Sequence, residues 1–133
     1  MGRYYSGDID GKFWFALQSS DCADRFGSRG HNNYLEYYFD ESHLPEIRKE
    51  LTNIENSLGD YLKLFKKFFE ENNGYNDEML FDFFKKWGHE LSSEEIRKHL
   101  EEYADYGMGQ KILKCVEENN ECSFTAEIKQ CVF

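Results

Sequence analysis

Residues 4–17, YYSGDIDGKFWFAL, decide the fold class. Asp10-Gly11 stands between two strand-forming, aromatic-rich runs, Tyr4 to Ile9 and Lys12 to Leu17. In that setting Asp-Gly is the strongest short-range hairpin signal, because a tight turn needs positive φ values that Asp and Gly tolerate. With a two- or four-residue loop, Phe13, Phe15 and Leu17 share a face with Tyr4, Ser6 and Asp8, while Trp14 and Ala16 share the other with Tyr5 and Ile9. Aromatics on both faces predict a sheet covered by helices on one side, with an aromatic patch around Tyr5 and Trp14 remaining on the other. Gly7 to Phe13 has the outline of a P-loop, but it is one residue short and carries Phe13 where a magnesium-binding hydroxyl belongs. The hairpin turn accounts for it.

Beyond the hairpin, Ser19-Ser20-Asp21 can cap a short helix ending near Gly27, and residues 28–33 hold only loop formers. Tyr34 to Phe39 alternates as a third strand. From Ser42 to Asn72 the apolar positions Ile47, Leu51, Ile54, Leu58, Tyr61, Phe65 and Phe68 recur at spacings of 4, 3, 4, 3, 4 and 3, which predicts a long amphipathic spine helix across the sheet. Pro45 fits its first turn, and Gly59 marks a kink, or a break with Asp60 as a new cap. The same heptad spacing allows a homodimer with a seam of Ile47, Leu51, Ile54 and Leu58.

Asn76 caps a helix to about Trp87, stopped by Gly88. Ser92 and Glu95 form a capping box for the next, whose core face is Ile96, Leu100 and Tyr103. Gly107 and Gly109 punctuate the connection to a last helix that carries Ile112 to Val116 and ends at Asn119-Asn120. A strand with Phe124, Ala126 and Ile128 inward then returns to the sheet. The expected fold is therefore α+β, a single domain over residues 1–133: an N-terminal antiparallel hairpin plus a third strand, four to five helices, and a C-terminal strand joining the sheet.

Asp and Glu number 26 against 16 Lys and Arg, for a net charge of −10. Such a surface repels phosphate backbones and favours basic partners, so direct nucleic-acid binding is not expected. Cys22, Cys115, Cys122 and Cys131 show no zinc-type spacing, there is no secretory leader pattern or glycosylation sequon, and reduced thiols in a cytoplasmic setting follow. No apolar run reaches the roughly 18 residues of a membrane span. The opening MGRYYS has the form of a myristoylation pattern, but Arg3 and two tyrosines lie within a strand signal.

Chemistry is sparse. Neither Asp10-Gly11 nor Asn73-Gly74 has the carboxylate spacing of a calcium loop. Glu127-Ile128-Lys129, with Asp105 upstream, matches half of a metal-dependent nuclease site, although strand alternation puts Glu127 and Lys129 on a polar face. His31, His43, His89 and His99 lie in no recognised nucleophile or metal arrangement, and no cofactor is expected. What stands out is surplus acid on predicted helices: Glu94, Glu95, Glu101, Glu102 and Asp105. Carboxylate rows on a rigid scaffold can imitate phosphate spacing. With Tyr5 and Trp14 they predict a non-enzymatic, acidic protein-binding module that docks on the basic surface of a nucleic-acid-handling partner and inhibits it. The small, Lys/Glu/Asn/Phe-rich chain has the make-up of accessory proteins of viruses or mobile elements. A small hydrolase or metal-dependent nuclease, and a homo-oligomeric structural protein, are the alternatives.

Overall fold

The structure, a computed structural model, describes residues 3–14, 17–30, 35–72 and 74–127. Among the expectations above, those resting on Met1, Gly2, Phe15, Ala16, His31, Tyr34, Asn73, Ile128, Lys129 and Cys131 fall outside the described residues.

The hairpin forms, from β1 (Tyr4–Gly7) and β2 (Gly11–Lys12), with Tyr4 opposite Lys12 and Tyr5 opposite Gly11. Its connection, Ser6 to Asp10, has an odd number of residues, which reverses the facing expected from an even loop. Phe13 therefore lies with Tyr5, ring centroids 5.2 Å apart, and not with Tyr4. Gly11 is required by close approach: a Cβ there would sit 2.3 Å from the Tyr5 hydroxyl. Lys111 donates to that hydroxyl and to the Asp10 carbonyl, both at 2.9 Å, and so ties the turn to the helical layer.

Strand β3 (Glu36–Asp40) and strand β4 (Glu121–Ala126) complete an antiparallel sheet of order β2-β1-β4-β3, so the returning C-terminal strand lies between β1 and β3. Alternation divides the sheet cleanly. Tyr5, Tyr37, Phe39, Cys122, Phe124 and Ala126 are buried on the inner face, where Tyr37 and Phe124 stack across strands at 5.1 Å. Each large apolar side chain fully buried here stabilises the fold by about 1.5–3 kcal/mol.

The segment Ser42–Asn72 is two helices, α1 (Leu44–Leu58) and α2 (Asp60–Glu71), with a break at Gly59. Gly59 itself, at φ 55° and ψ −127°, is the junction and caps α2 in place of Asp60. Only glycine visits that region without strain. Ile47, Leu51, Ile54 and Leu58 are all buried within the protomer, so the heptad stripe is used by the core and offers no dimer seam.

Helix α3 (Asp77–Lys86) is capped by Asn76, whose side chain accepts from Met79 N–H, and α4 (Ser93–Asn119) by the Ser92–Glu95 box, both as expected. The punctuation expected at Gly107 and Gly109 is absent: α4 runs unbroken for 27 residues. Gly109 serves packing, since a Cβ there would lie 2.4 Å from the Phe26 ring and 2.8 Å from Leu51. The close crossing of α1 and the 3₁₀ turn Cys22–Phe26 over α4 offsets the roughly 1 kcal/mol of helix propensity glycine costs. With neighbours in α1, α2, α3, β3 and β4, α4 is the spine of the fold, a place the periodicity assigned to Ser42–Asn72.

Candidate docking surface

The five acidic residues singled out on α4 do not form one surface. Glu94, Glu95 and Glu101 are exposed, and Glu95 is partly engaged, since it accepts from Ser92 N–H at 3.3 Å in the capping box. Burial, and then the neighbouring charges of Asp105 and Glu102, hold Glu101 above the usual carboxylate range. Glu102 and Asp105 turn inward to Arg25, which meets Glu50 at 2.6 Å, Glu102 at 2.7 Å and Asp105 at 2.8 Å. The Glu102 oxygen is buried and close but poorly aligned, a charge contact more than a hydrogen bond. Asp105 also accepts from Gln18 Nε2 at 2.9 Å and has a side chain only 7% exposed.

This arrangement decides the electrostatics. Burial works against the Arg25 charge, but its contact with the Glu102 carboxylate and the hydrogen bonds it donates to Glu50 and Asp105 outweigh that and hold the guanidinium above its ordinary pKa. Burial raises Asp105 despite the opposing hydrogen bonds from Gln18 and Arg25, and burial followed by Asp105 pushes up the Cys22 thiol. Asp105 is thus an internal tie between α4 and the 3₁₀ turn, unavailable to a partner or to a nuclease centre.

Tyr5 is also internal, 5% exposed, for the reason of loop parity given above. Trp14 is half-buried in a cluster with Phe69 at 5.3 Å, Tyr75 at 5.7 Å and Tyr103 at 6.3 Å. The exposed aromatics on the uncovered side of the sheet are instead Tyr4, 51% exposed, on β1 and Tyr38, 46% exposed, on β3, with β4 between them. Alternation forced this outcome: Tyr4, Glu36, Tyr38, Glu121, Ser123 and Thr125 are the out-facing partners of the buried set.

Glu36, Tyr38 and the small residues Ser6, Ser123 and Thr125 border a shallow hollow of about 410 Å³ on this face. Tyr38 donates to Glu121 at 3.2 Å, and its hydroxyl is raised above the ordinary value, by desolvation first and then by that bond. At the end of β3, Asp40 accepts from the Ser42 hydroxyl and backbone N–H, the hydroxyl bond above all holding its carboxyl down, with a smaller contribution from His43 at 3.1 Å. Tyr4 N–H donates to Glu127 at 2.6 Å, and Ser123 N–H to Asp8 at 2.9 Å, so further carboxylates frame the strand ends. Lys12 lies 5.8 Å above the Tyr4 ring. The face as a whole is acidic and tyrosine-bearing.

Tyr38 and Glu121 lie outside the docking residues expected from the sequence, although strand alternation already sets Tyr38 opposite to Tyr37 and Phe39 and Glu121 belongs to the surplus acid at the start of β4.

The described histidines lie against aromatic neighbours, His43 on Phe39 at 5.5 Å. His89 and His99 pack on Tyr61, with ring centroids at 5.1 and 4.6 Å, and burial lowers His99. Among the described residues no group of three or more His, Cys, Asp or Glu side chains could hold a metal ion, and no helix is long and apolar enough to cross a membrane. No family model matches the chain, and no curated protein or solved structure is significantly similar to it.

Proposed function

We propose that this chain is a non-enzymatic protein-binding module that docks the uncovered face of its sheet on the basic surface of a nucleic-acid-handling protein and inhibits that partner. The observation that carries the reading is that Tyr38, about half exposed, shares the outer face of the sheet with Glu36, Asp40 and Glu121, with Tyr4 exposed on the same face of β1. Tyrosine offers a large amphipathic contact with little side-chain entropy to lose, which suits an interface centre. The carboxylates supply complementarity to Lys and Arg, and the net charge of −10 steers association with a basic partner while repelling nucleic acid itself. Glu94, Glu95 and Glu101 on α4 add to that long-range field. The make-up of the chain fits an accessory role in a virus or mobile element.

The test begins with affinity capture from the native host and proceeds to association kinetics with the captured protein. Glu36→Gln/Glu121→Gln slows association and flattens its salt dependence, and Tyr38→Ser speeds dissociation. Displacement of the partner's nucleic acid by the wild-type chain is the expected inhibition. Kinetics unchanged in all three sheet-face substitutions would overturn the assignment of this face.

A further inference from the structure

A second concavity has the opposite character to the sheet face. A cleft of about 770 Å³ opens where the segment after β2 meets the end of α2, the α2–α3 turn and the first turns of α4. Phe13, Trp14, Leu17 and Phe69 give it an apolar wall. Volume and lining are those of a small-molecule site, which spans about 300–1,000 Å³ and is mostly apolar with a few polar groups that fix orientation. The wall is pre-formed: Trp14 stacks on Tyr75 and meets Phe69 edge-on, and its backbone N–H donates to Gln18 Oε1 at 3.0 Å. Gln18 is held in turn by Asp105.

The rim carries two cations and one anion, Lys12, Arg97 and Asp77, on a chain of net charge −10. Arg97 is weakly committed: its contact with Asp77 is 3.6 Å long, between side chains 57% and 46% exposed. Such a pair contributes next to nothing and yields to a better anion. Lys12 makes no ion pair among the described residues.

We propose that this cleft binds an amphiphilic organic anion, with its apolar body against Trp14, Leu17 and Phe69 and its acid group at Lys12 and Arg97. A cationic ligand would meet like charge at the rim. A nucleotide would press unpaired sugar and phosphate groups against Leu17 and Leu100. The site is separable from the docking reading: only Lys12, which also lies over the Tyr4 ring, borders both, and its test involves no protein partner.

Trp14 and Trp87 are the chain's two tryptophans, and Trp87 is 45% exposed, so Trp87→Phe leaves Trp14 as a lone fluorescent reporter without disturbing the core. Octanoate, 1-octanol and octylammonium serve as probes of equal length and different charge. Octanoate shifts Trp14 emission saturably and binds about tenfold more tightly than 1-octanol, the scale of a charge-assisted hydrogen bond, and octylammonium binds weakest. Arg97→Gln and Lys12→Gln each lower octanoate affinity by roughly threefold to tenfold and leave 1-octanol binding unchanged. A silent Trp14, equal binding of the three probes, or octanoate binding intact in both charge variants would overturn the proposal.

Discussion

Arg25→Met removes the one cation among Glu50, Glu102 and Asp105 and leaves three carboxylates facing each other between α1, α4 and the 3₁₀ turn. Removing one partner of a fully buried charge pair costs about 3–5 kcal/mol. Here the Arg25 side chain is 26% exposed and only Asp105, at 7%, is deeply buried, so water screens part of the loss and about 2–3 kcal/mol remains. At roughly 3–5 °C per kcal/mol for a domain of this size, the melting temperature falls by about 10 °C. The pH dependence separates this cause from simple loss of packing. Burial already raises Asp105 in the folded state, and removal of Arg25 raises it further. A carboxyl with a raised folded-state pKa holds its proton more tightly folded than unfolded. Its penalty is absent below the unfolded pKa and grows as pH rises through the folded one. The gap between wild type and Arg25→Met is therefore widest near neutral pH and narrows on acidification through the carboxylate range. Adding Asp105→Asn removes a buried charge while keeping an acceptor for Gln18, and recovers part of the loss at neutral pH. Denaturant titrations followed by circular dichroism at neutral and mildly acidic pH measure all of this. A gap below about 0.5 kcal/mol at neutral pH, or one that does not narrow with acid, would refute the electrostatic reasoning.

The two glycines inside α4 respond oppositely to alanine: Gly109→Ala forces a Cβ against Phe26 and Leu51 and destabilises by about 1–3 kcal/mol, whereas Gly107→Ala meets no atom within 4 Å and stabilises by about 0.5–1 kcal/mol. Equal shifts in denaturation midpoint would contradict the close crossing. Ser92→Ala removes the cap of α4 and costs about 1 kcal/mol. Glu94→Gln, at an exposed position two residues on in the same first turn, changes denaturant stability by less than about 0.5 kcal/mol.

The features legible in the sequence share one property: their cause lies within a few residues. Asn76 and the Ser92–Glu95 box cap helices through contacts at i+3, and alternation in residues 36–39 and at Phe124 and Ala126 separated the two faces as the structure has them. The features that escaped depend on distant partners. Gly107 and Gly109 look like breakers because the cost of glycine is local, while the gain at Gly109 comes from Phe26 and Leu51. Asp105 looks like surface charge because Arg25 lies 80 residues away. The facing of Phe13 turned on whether the loop is odd or even, and the Asp-Gly signal locates a turn without fixing its length.

The place of β4 in the sheet governs when this protein can fold. Apart from the short β1–β2 ribbon, every strand pairing runs through β4, and Tyr5 meets Ala126 across nearly the whole chain. During synthesis, β1 and β3 wait with open edges until residues 121–126 leave the ribosome. An isolated hairpin of this kind is marginal in water. Sheet formation therefore waits for β4 and is dominated by non-local contacts, which makes it slower than the helical core that it completes. The nascent chain meanwhile exposes Tyr37 and Phe39 on an unpaired edge, the interval in which association with other chains competes with folding.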